Sequence, residues 1–209
     1  PDEADFKAMQ KAITESLEAG AVGVSMGIGY APEIYYTPDE LKKLLAPIAG
    51  QNVPLTVHIR QEALGVVDAV REMIDVAGSL DIPLEISHLK AMGRQIWGKA
   101  IPEILEMIER ANAEGHVVGC DAYPYTAGST QLIHFMPPEF LEGGMDALTE
   151  RLKDPVERGK LLRRLESGTD FENVPKLVGW DAIVLTSFSK EENQIYVGKN
   201  LVEIGEMMG

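Results

Sequence analysis

Two histidines in similar surroundings are the residues of this sequence best suited to chemistry. His58 closes an apolar run in the segment Leu-Thr-Val-His-Ile-Arg, and His88 closes one in Glu-Ile-Ser-His-Leu-Lys, 30 residues further on. A polar side chain at the end of a strand, just before a helix, lies at the carboxyl edge of a parallel sheet, where α/β proteins bind ligands. Because both histidines hold the same place in successive units, the sequence predicts that their imidazoles converge and share a metal ion.

A third metal ligand is harder to assign from the sequence. Zinc in a hydrolytic site takes three protein ligands and keeps a water in its open position, so two histidines are not enough. Cys120 is one candidate, although a single cysteine in an apolar run is more often a small buried residue. Asp121 is the better nearby carboxylate, and a role as a loop cap is equally compatible. His116 is expected on the face opposite the site, and His134 lies outside the repeated units.

Two cations and a hydroxyl-rich segment accompany the histidines. Arg60 and Lys90 each follow a histidine by two residues, so they share its face if the strand persists. A cation there would suit an anionic substrate, and a solvated side chain at a loop start is the alternative for each. The segment 121–130 follows a fourth apolar run and carries hydroxyl groups that can hydrogen-bond a carboxylate, although tyrosine packing explains it equally well.

A repeated order of strands and helices positions these side chains. Strands are expected at 21–25, 54–59, 83–88 and 117–121, and helices at 5–19, 37–50, 63–78 and 99–115. Units of about 30 residues in this order predict a parallel sheet with right-handed crossovers. A closed barrel of this kind needs eight strands. The predicted fold is therefore α/β with about four parallel strands, either half of a (β/α)₈ TIM-type barrel or an open doubly wound sheet.

The regular order breaks near residue 131. Prolines and glycines interrupt two short helical stretches, and an apolar run at Ala182 to Thr186 suggests a further strand. We therefore predict a partial barrel at 1–130, an inserted small α/β subdomain at 131–198, and the start of a helix returning to the barrel at 199–209. A half barrel leaves strand edges unpaired. We expect the insertion to cover them, or a second copy to pair with them in a homo-oligomer.

Composition narrows the classes of partner. The chain has 209 residues, of which 45% are hydrophobic and 25% charged, as in ordinary globular proteins. Its 19 basic and 33 acidic residues give a net charge of -14, which repels nucleic acid and anionic membrane surfaces and favours a small-molecule partner. No apolar stretch is long enough to span a bilayer. With a single cysteine and a charged amino end, a cytoplasmic location is expected.

Four linked motifs resemble one known family. The segments 20–32, 57–60, 87–90 and 121–130 look like motifs of the N-acyl-D-amino-acid deacylases (D-aminoacylases), in the same order and spacing. These enzymes belong to the metal-dependent amidohydrolase superfamily. The resemblance implies a (β/α)₈ barrel in which His58 and His88 bind zinc from the fifth and sixth strands. It also implies hydrolysis of an N-acyl-D-amino acid to a carboxylate and a free D-amino acid.

The resemblance further implies roles for four other residues. Lys90, Tyr123 and Ser129 would contact the substrate carboxylate, and Tyr30 would lie near the acyl or metal side of the pocket. The family's His-x-His pair, its cysteine ligand, its general-base aspartate and a carboxylate-binding arginine have no counterpart here, and Cys120 does not match the ligand cysteine's motif. We therefore expect an internal piece of such an enzyme, starting without an initiator methionine and inactive alone.

Two alternatives to this function stay open. The first is another amidohydrolase specificity, such as a cyclic amide or an isopeptide, because one metal cradle serves many substrates and the loops choose among them. The second is a non-catalytic domain whose strand-end histidines only cap loops.

Overall fold

A four-stranded parallel sheet lies at the centre of the first 128 residues in the computed structural model, which describes residues 1–209. Its strands pair in chain order: β1 (Val24–Gly27), β2 (Leu55–His58), β3 (Leu84–Ile86) and β4 (Val118–Cys120). The strands start level with one another, since Val24 aligns with Leu55, Leu55 with Leu84, and Leu84 with Val118. The α/β class and the parallel sheet predicted from the sequence are confirmed.

Four helices alternate with these strands. They are α1 (Glu3–Glu18), α2 (Pro38–Leu45), α3 (Val66–Leu80) and α4 (Ala100–Ala113). The predicted start of α2 is confirmed by a capping box, in which the Thr37 hydroxyl accepts from the Glu40 amide and the Glu40 carboxylate accepts from the Thr37 amide. The α-helix ends at Leu45 instead of near residue 50. Pro47 lacks an amide hydrogen, and the chain continues as a 3₁₀ turn at Ala46–Ile48.

Alternation along the strands gives the sheet one apolar and one polar face. In and just after β2, the side chains of Leu55, Val57 and Ile59 are buried among the helices, whereas Thr56 and His58 on the other face are only partly buried. The same polar face carries a row that crosses all four strands in register: Ser25, Thr56, Glu85 and Gly119. The helices pack against the apolar face of the sheet, and the candidate functional side chains lie on its polar face.

Residues 129–209 form a second unit made of short helices. These are α5 (Pro138–Leu141), α6 (Gly144–Lys153), α7 (Pro155–Ser167), α8 (Val174–Val178) and α9 (Leu201–Met208). Its buried cluster consists of Phe140, Leu148, Leu161 and Leu165. No helix of the chain has both the length and the apolar character needed to cross a membrane.

The strand predicted at Ala182 to Thr186 is not formed. Residues Trp180–Ala182 make a 3₁₀ turn, and Val184 forms a single antiparallel bridge with Asn200. Pairing stops there because Gly198 turns the chain with a φ of 79° and α9 begins at Leu201. Helix α9 packs against the turn at 180–182. A return of residues 199–209 to a barrel stays a prediction.

Candidate metal centre

The two predicted histidines meet at the carboxyl edge of the sheet. His58 is the last residue of β2, and its Nδ1 lies 3.0 Å from Nε2 of His88. The ring centroids are 4.7 Å apart with the planes at 67°. The structure therefore brings together the two imidazoles that the sequence placed at equivalent strand ends.

His88 is held in an uncommon backbone conformation. Strand β3 ends at Ile86, two residues earlier than the sequence predicted, because the chain turns there and His88 adopts a φ of 42°. The Asp121 carboxylate accepts a 2.6 Å hydrogen bond from the His88 amide, and the Asp121 carbonyl accepts one of 2.8 Å from the Leu89 amide. Of the two roles considered for Asp121, the structure shows the loop cap. This cap stabilises a conformation that presents the His88 ring to His58.

The glycine-rich loop after β1 brings Tyr30 onto the other histidine. The rings of Tyr30 and His58 stack with centroids 4.3 Å apart and an interplanar angle of 28°, and the phenol oxygen lies 3.3 Å from Nδ1. The loop approaches so closely that a Cβ added at Gly29 would lie 2.8 Å from the His58 ring and 3.0 Å from the Ile59 carbonyl. Only glycine fits at position 29 without a shift of the His58 ring or of the Ile59 carbonyl.

A buried carboxylate that the sequence motifs did not single out joins the two imidazoles. Glu62 is 7% exposed. Its Oε1 lies 2.9 Å from His88 Nδ1 and 3.8 Å from His58 Nδ1, and it also pairs with the Lys90 ammonium. One donor atom from each of Glu62, His58 and His88 lies within 4.8 Å of the others. Its place in the loop that directly follows the strand ending at His58 is the signal that could have identified it.

Lys90 and Tyr123 extend the site beside His88. The Lys90 Nζ lies 2.9 Å from His88 Nδ1 and 5.6 Å from the centroid of the Tyr123 ring, within cation–π range. Burial, and then the nearby charge of Glu62, raise the pKa of the Tyr123 phenol above its ordinary value. The phenol therefore keeps its proton at neutral pH and can donate a hydrogen bond to an anion.

Arg60 does not accompany Lys90. Its guanidinium makes a two-point pair with the Glu72 carboxylate, at 2.7 and 2.9 Å, and donates to the Tyr36 carbonyl at 2.8 Å. The alternation that would place Arg60 beside His58 fails because β2 ends at His58. Arg60 therefore fastens the loop after β1 to α3.

Three further candidates lie apart from the cluster or in the second unit. Cys120 is an exposed residue outside the group of potential ligands. Partial desolvation of its sulfur, and then the charges of Glu85 and Asp121, raise the pKa of its thiol. His116 lies next to Gly78, after α4 and before β4 starts. Ser129 belongs to the second unit, so its contact with a substrate carboxylate stays a prediction.

The donor set fits zinc. Two nitrogen ligands placed tetrahedrally at about 2.1 Å from a zinc ion are roughly 3.4 Å apart. The 3.0 Å between His58 Nδ1 and His88 Nε2 is close to that value, so a small movement of either ring lets both reach one ion. Neutral imidazoles are common zinc ligands, and the neighbouring carboxylate adds the negative charge that such sites need.

Comparison with known proteins identifies relatives of part of the chain. No protein-family model matches the chain. The D-aminoacylase of Alcaligenes xylosoxydans xylosoxydans is 36% identical over 128 residues, which are 61% of this chain and 26% of that enzyme. The chain thus spans about a quarter of the length of this curated relative.

Two solved structures share the fold. A crystal structure of D-aminoacylase, described as defining a novel subset of amidohydrolases, superposes with a TM-score of 0.59 at 35% identity, over 63% of this chain and 27% of that one. The N-acyl-D-glutamate deacylase of Bordetella bronchiseptica, complexed with zinc and a phosphonate mimic of the tetrahedral intermediate, has a TM-score of 0.73 at 30% identity, over 100% of this chain and 35% of that one. By sequence and by fold, the chain is therefore a relative of the N-acyl-D-amino-acid deacylases, the amidohydrolase family that its four motifs predicted.

Proposed function

We propose that this chain supplies two zinc ligands and part of the substrate-binding surface of an N-acyl-D-amino-acid deacylase. The reaction is hydrolysis of the amide bond to a carboxylate and a free D-amino acid. The observation that carries the proposal is the convergence of His58 Nδ1 and His88 Nε2 at 3.0 Å on the polar face of the sheet, next to a lysine ammonium. Its similarity to D-aminoacylase supports the choice of substrate class.

The role of His58 and His88 is to hold the zinc ion. Bound zinc supplies Lewis acidity toward the amide carbonyl and lowers the pKa of a water toward neutrality. Both rings are held in position by neighbouring residues, since Tyr30 stacks on His58 and Asp121 fixes the backbone of His88. Side chains that are already ordered lose less conformational entropy when the metal binds.

Lys90 and Tyr123 bind the α-carboxylate of the substrate in this proposal. The Lys90 ammonium provides a charge-assisted hydrogen bond, and the protonated phenol of Tyr123 provides a second donor. Ser129 is assigned a third contact to the same carboxylate, and Tyr30 borders the acyl or metal side of the pocket. A carboxylate anchored next to His88 orients the scissile amide toward the metal, which is how positioning lowers a reaction barrier.

No residue of this chain is assigned as the general base. We therefore expect the 209-residue chain alone to be inactive toward acyl-D-amino acids. From the acidic charge and the single cysteine of this chain, we infer that the whole enzyme acts in the cytoplasm on a small-molecule substrate.

The test of this proposal has a binding arm and an activity arm. In the binding arm, zinc affinity of the chain is measured by competition with a chromophoric chelator. His58→Ala and His88→Ala should each weaken zinc binding at least tenfold, whereas His116→Ala, a histidine outside the cluster, should leave it unchanged. Equal zinc affinity in all four proteins would support the loop-capping domain instead.

In the activity arm, the whole enzyme is assayed with zinc on N-acetyl-D- and N-acetyl-L-amino acids. We expect release of acetate from the D series, abolished by His58→Ala. Turnover of cyclic amides or isopeptides, without turnover of acyl-D-amino acids, would show that the enzyme has another amidohydrolase specificity.

A further inference from the structure

Glu62 occupies a position that connects the loops after two neighbouring strands. It lies between β2 and α3, and its backbone carbonyl accepts a 2.8 Å hydrogen bond from the amide of Met92, which follows β3. Its side chain is almost completely buried. The carboxylate is therefore fixed relative to the backbones that carry both His58 and His88.

The two nitrogens of the His88 ring have different partners. Nε2 faces His58 Nδ1 at 3.0 Å, whereas Nδ1 lies 2.9 Å from Oε1 of Glu62. An imidazole that binds a metal through one nitrogen usually donates its remaining N–H to a carboxylate or a carbonyl, and this bond fixes the tautomer. Here the carboxylate is on Nδ1, which leaves the Nε2 lone pair directed at His58.

Lys90 keeps the Glu62 carboxylate in place. The ammonium pairs with the same Oε1 and also lies 2.9 Å from His88 Nδ1. When Nδ1 carries a hydrogen it cannot accept a bond from Lys90, so the ammonium donates to Glu62. Two N–H groups on one oxygen offset the cost of burying this charge. Turning Oε1 toward a metal between the two histidines would give up both bonds.

From these contacts we infer that Glu62 is a positioning residue, not a metal ligand: its carboxylate accepts from Nδ1–H of His88 and thereby holds Nε2 toward the zinc ion. This inference rests on the proposed function for its meaning. The hydrogen bond itself belongs to the metal-free chain and can be measured there. Glu72 provides a matched control, because it is also a largely buried carboxylate in an ion pair but contacts Arg60 instead of the histidines.

The first experiment observes the tautomer directly. The metal-free, ¹⁵N-labelled chain is studied by two-bond proton–nitrogen NMR at a pH at which the nitrogen shifts show neutral rings, and the His88 signals are assigned with His88→Asn. We expect His88 of the unmodified chain as the Nδ1–H form. Glu62→Ala should shift it toward the Nε2–H form, Glu62→Gln should shift it less because an acceptor oxygen remains, and Glu72→Gln should leave it unchanged.

The second experiment measures the zinc affinity of the unmodified chain and of its Glu62→Ala, Glu62→Gln and Glu72→Gln variants. Loss of a carboxylate that orients a ligand typically costs about 10- to 100-fold in metal affinity. We expect a loss in this range for Glu62→Ala, a smaller one for Glu62→Gln, and none for Glu72→Gln.

Two results would overturn the inference. One is an unchanged His88 tautomer in Glu62→Ala. The other is an equal loss well above 100-fold in Glu62→Ala and Glu62→Gln, which would make Glu62 a direct ligand. If the whole enzyme shows no deacylase activity, the proposed function fails, but the tautomer result still decides the role of Glu62.

Discussion

Replacing Gly29 by alanine tests how tightly the loop after β1 sets the position of His58. The added Cβ would lie 2.8 Å from Cδ2 and Nε2 of the ring and 3.0 Å from the Ile59 carbonyl. Carbon atoms in comfortable contact are about 3.5 Å apart, so one side must withdraw by roughly 0.7 Å. Ile59 is buried in the core, so we expect the imidazole of His58 to move.

A movement of this size is large for a metal site. Ligand distances in such sites hold to within about 0.2 Å, and misplacement by about 1 Å can cost roughly 100-fold in a positioned reaction. We therefore expect Gly29→Ala to weaken zinc binding by about 10- to 100-fold, or about 1.4 to 2.7 kcal/mol. Overpacking should also lower the free energy of unfolding by about 1–3 kcal/mol.

The assay is chelator competition at a temperature well below the unfolding midpoint of both proteins. Gly205→Ala adds the same methyl group in α9, where a Cβ meets nothing within 4 Å, and should leave zinc affinity unchanged. Equal affinity in Gly29→Ala and the unmodified chain would show that the loop does not determine where the His58 ring lies.

Three other predictions follow from single side chains. Asp121→Ala should destabilise the chain by about 0.5–1.5 kcal/mol in urea unfolding and weaken zinc binding, because it removes the acceptor for the His88 amide, whereas Asp121→Asn should recover most of both. Burial raises the pKa of Tyr123, so its neutral form stabilises the fold below the ordinary tyrosine pKa of 10.0, and this contribution is lost as pH rises through the higher folded value. Phenolate absorbance should show one late-titrating component fewer in Tyr123→Phe, and an unchanged curve would contradict this. Asn173 is 3% exposed and donates to the carbonyls of Leu165 and Gly168 at the end of α7. Its replacement by alanine should cost about 1–3 kcal/mol in thermal unfolding, and a neutral effect would mean that water replaces these bonds.

Local patterns were sufficient to predict the order of elements and the meeting of the two histidines. Each of the first three strands is a short apolar run followed by an amphipathic helix, and this repeat permits few arrangements other than parallel neighbours. Once β2 and β3 are adjacent and level, His58 and the end of the next strand must come close. Periodicity thus brings the two strand ends together, and the turn at His88, with its φ of 42° and its bond to Asp121, completes the meeting of the rings.

Sequence analysis missed or misplaced those side chains whose positions depend on where a strand ends. Glu62 lies in a loop, so no periodicity marks it, and its contact with Lys90 joins positions 28 residues apart. Arg60 was expected on the face of His58, but alternation applies only inside a strand and β2 stops at His58. The apolar run at Ala182 to Thr186 had the composition of a strand but no partner long enough to pair with.

Hydrogen bonds connect each loop above the carboxyl edge of the sheet to the neighbouring loop. Arg60 joins the first to the helix that follows the second, the Glu62 carbonyl joins the second to the third through Met92, and Asp121 joins the third to the fourth. A loop exchanged alone with that of another enzyme would lose its bonds to the neighbouring loops. Adjacent loops should therefore be transplanted as a set, because hydrogen bonds between them make the loops around the site one connected structure.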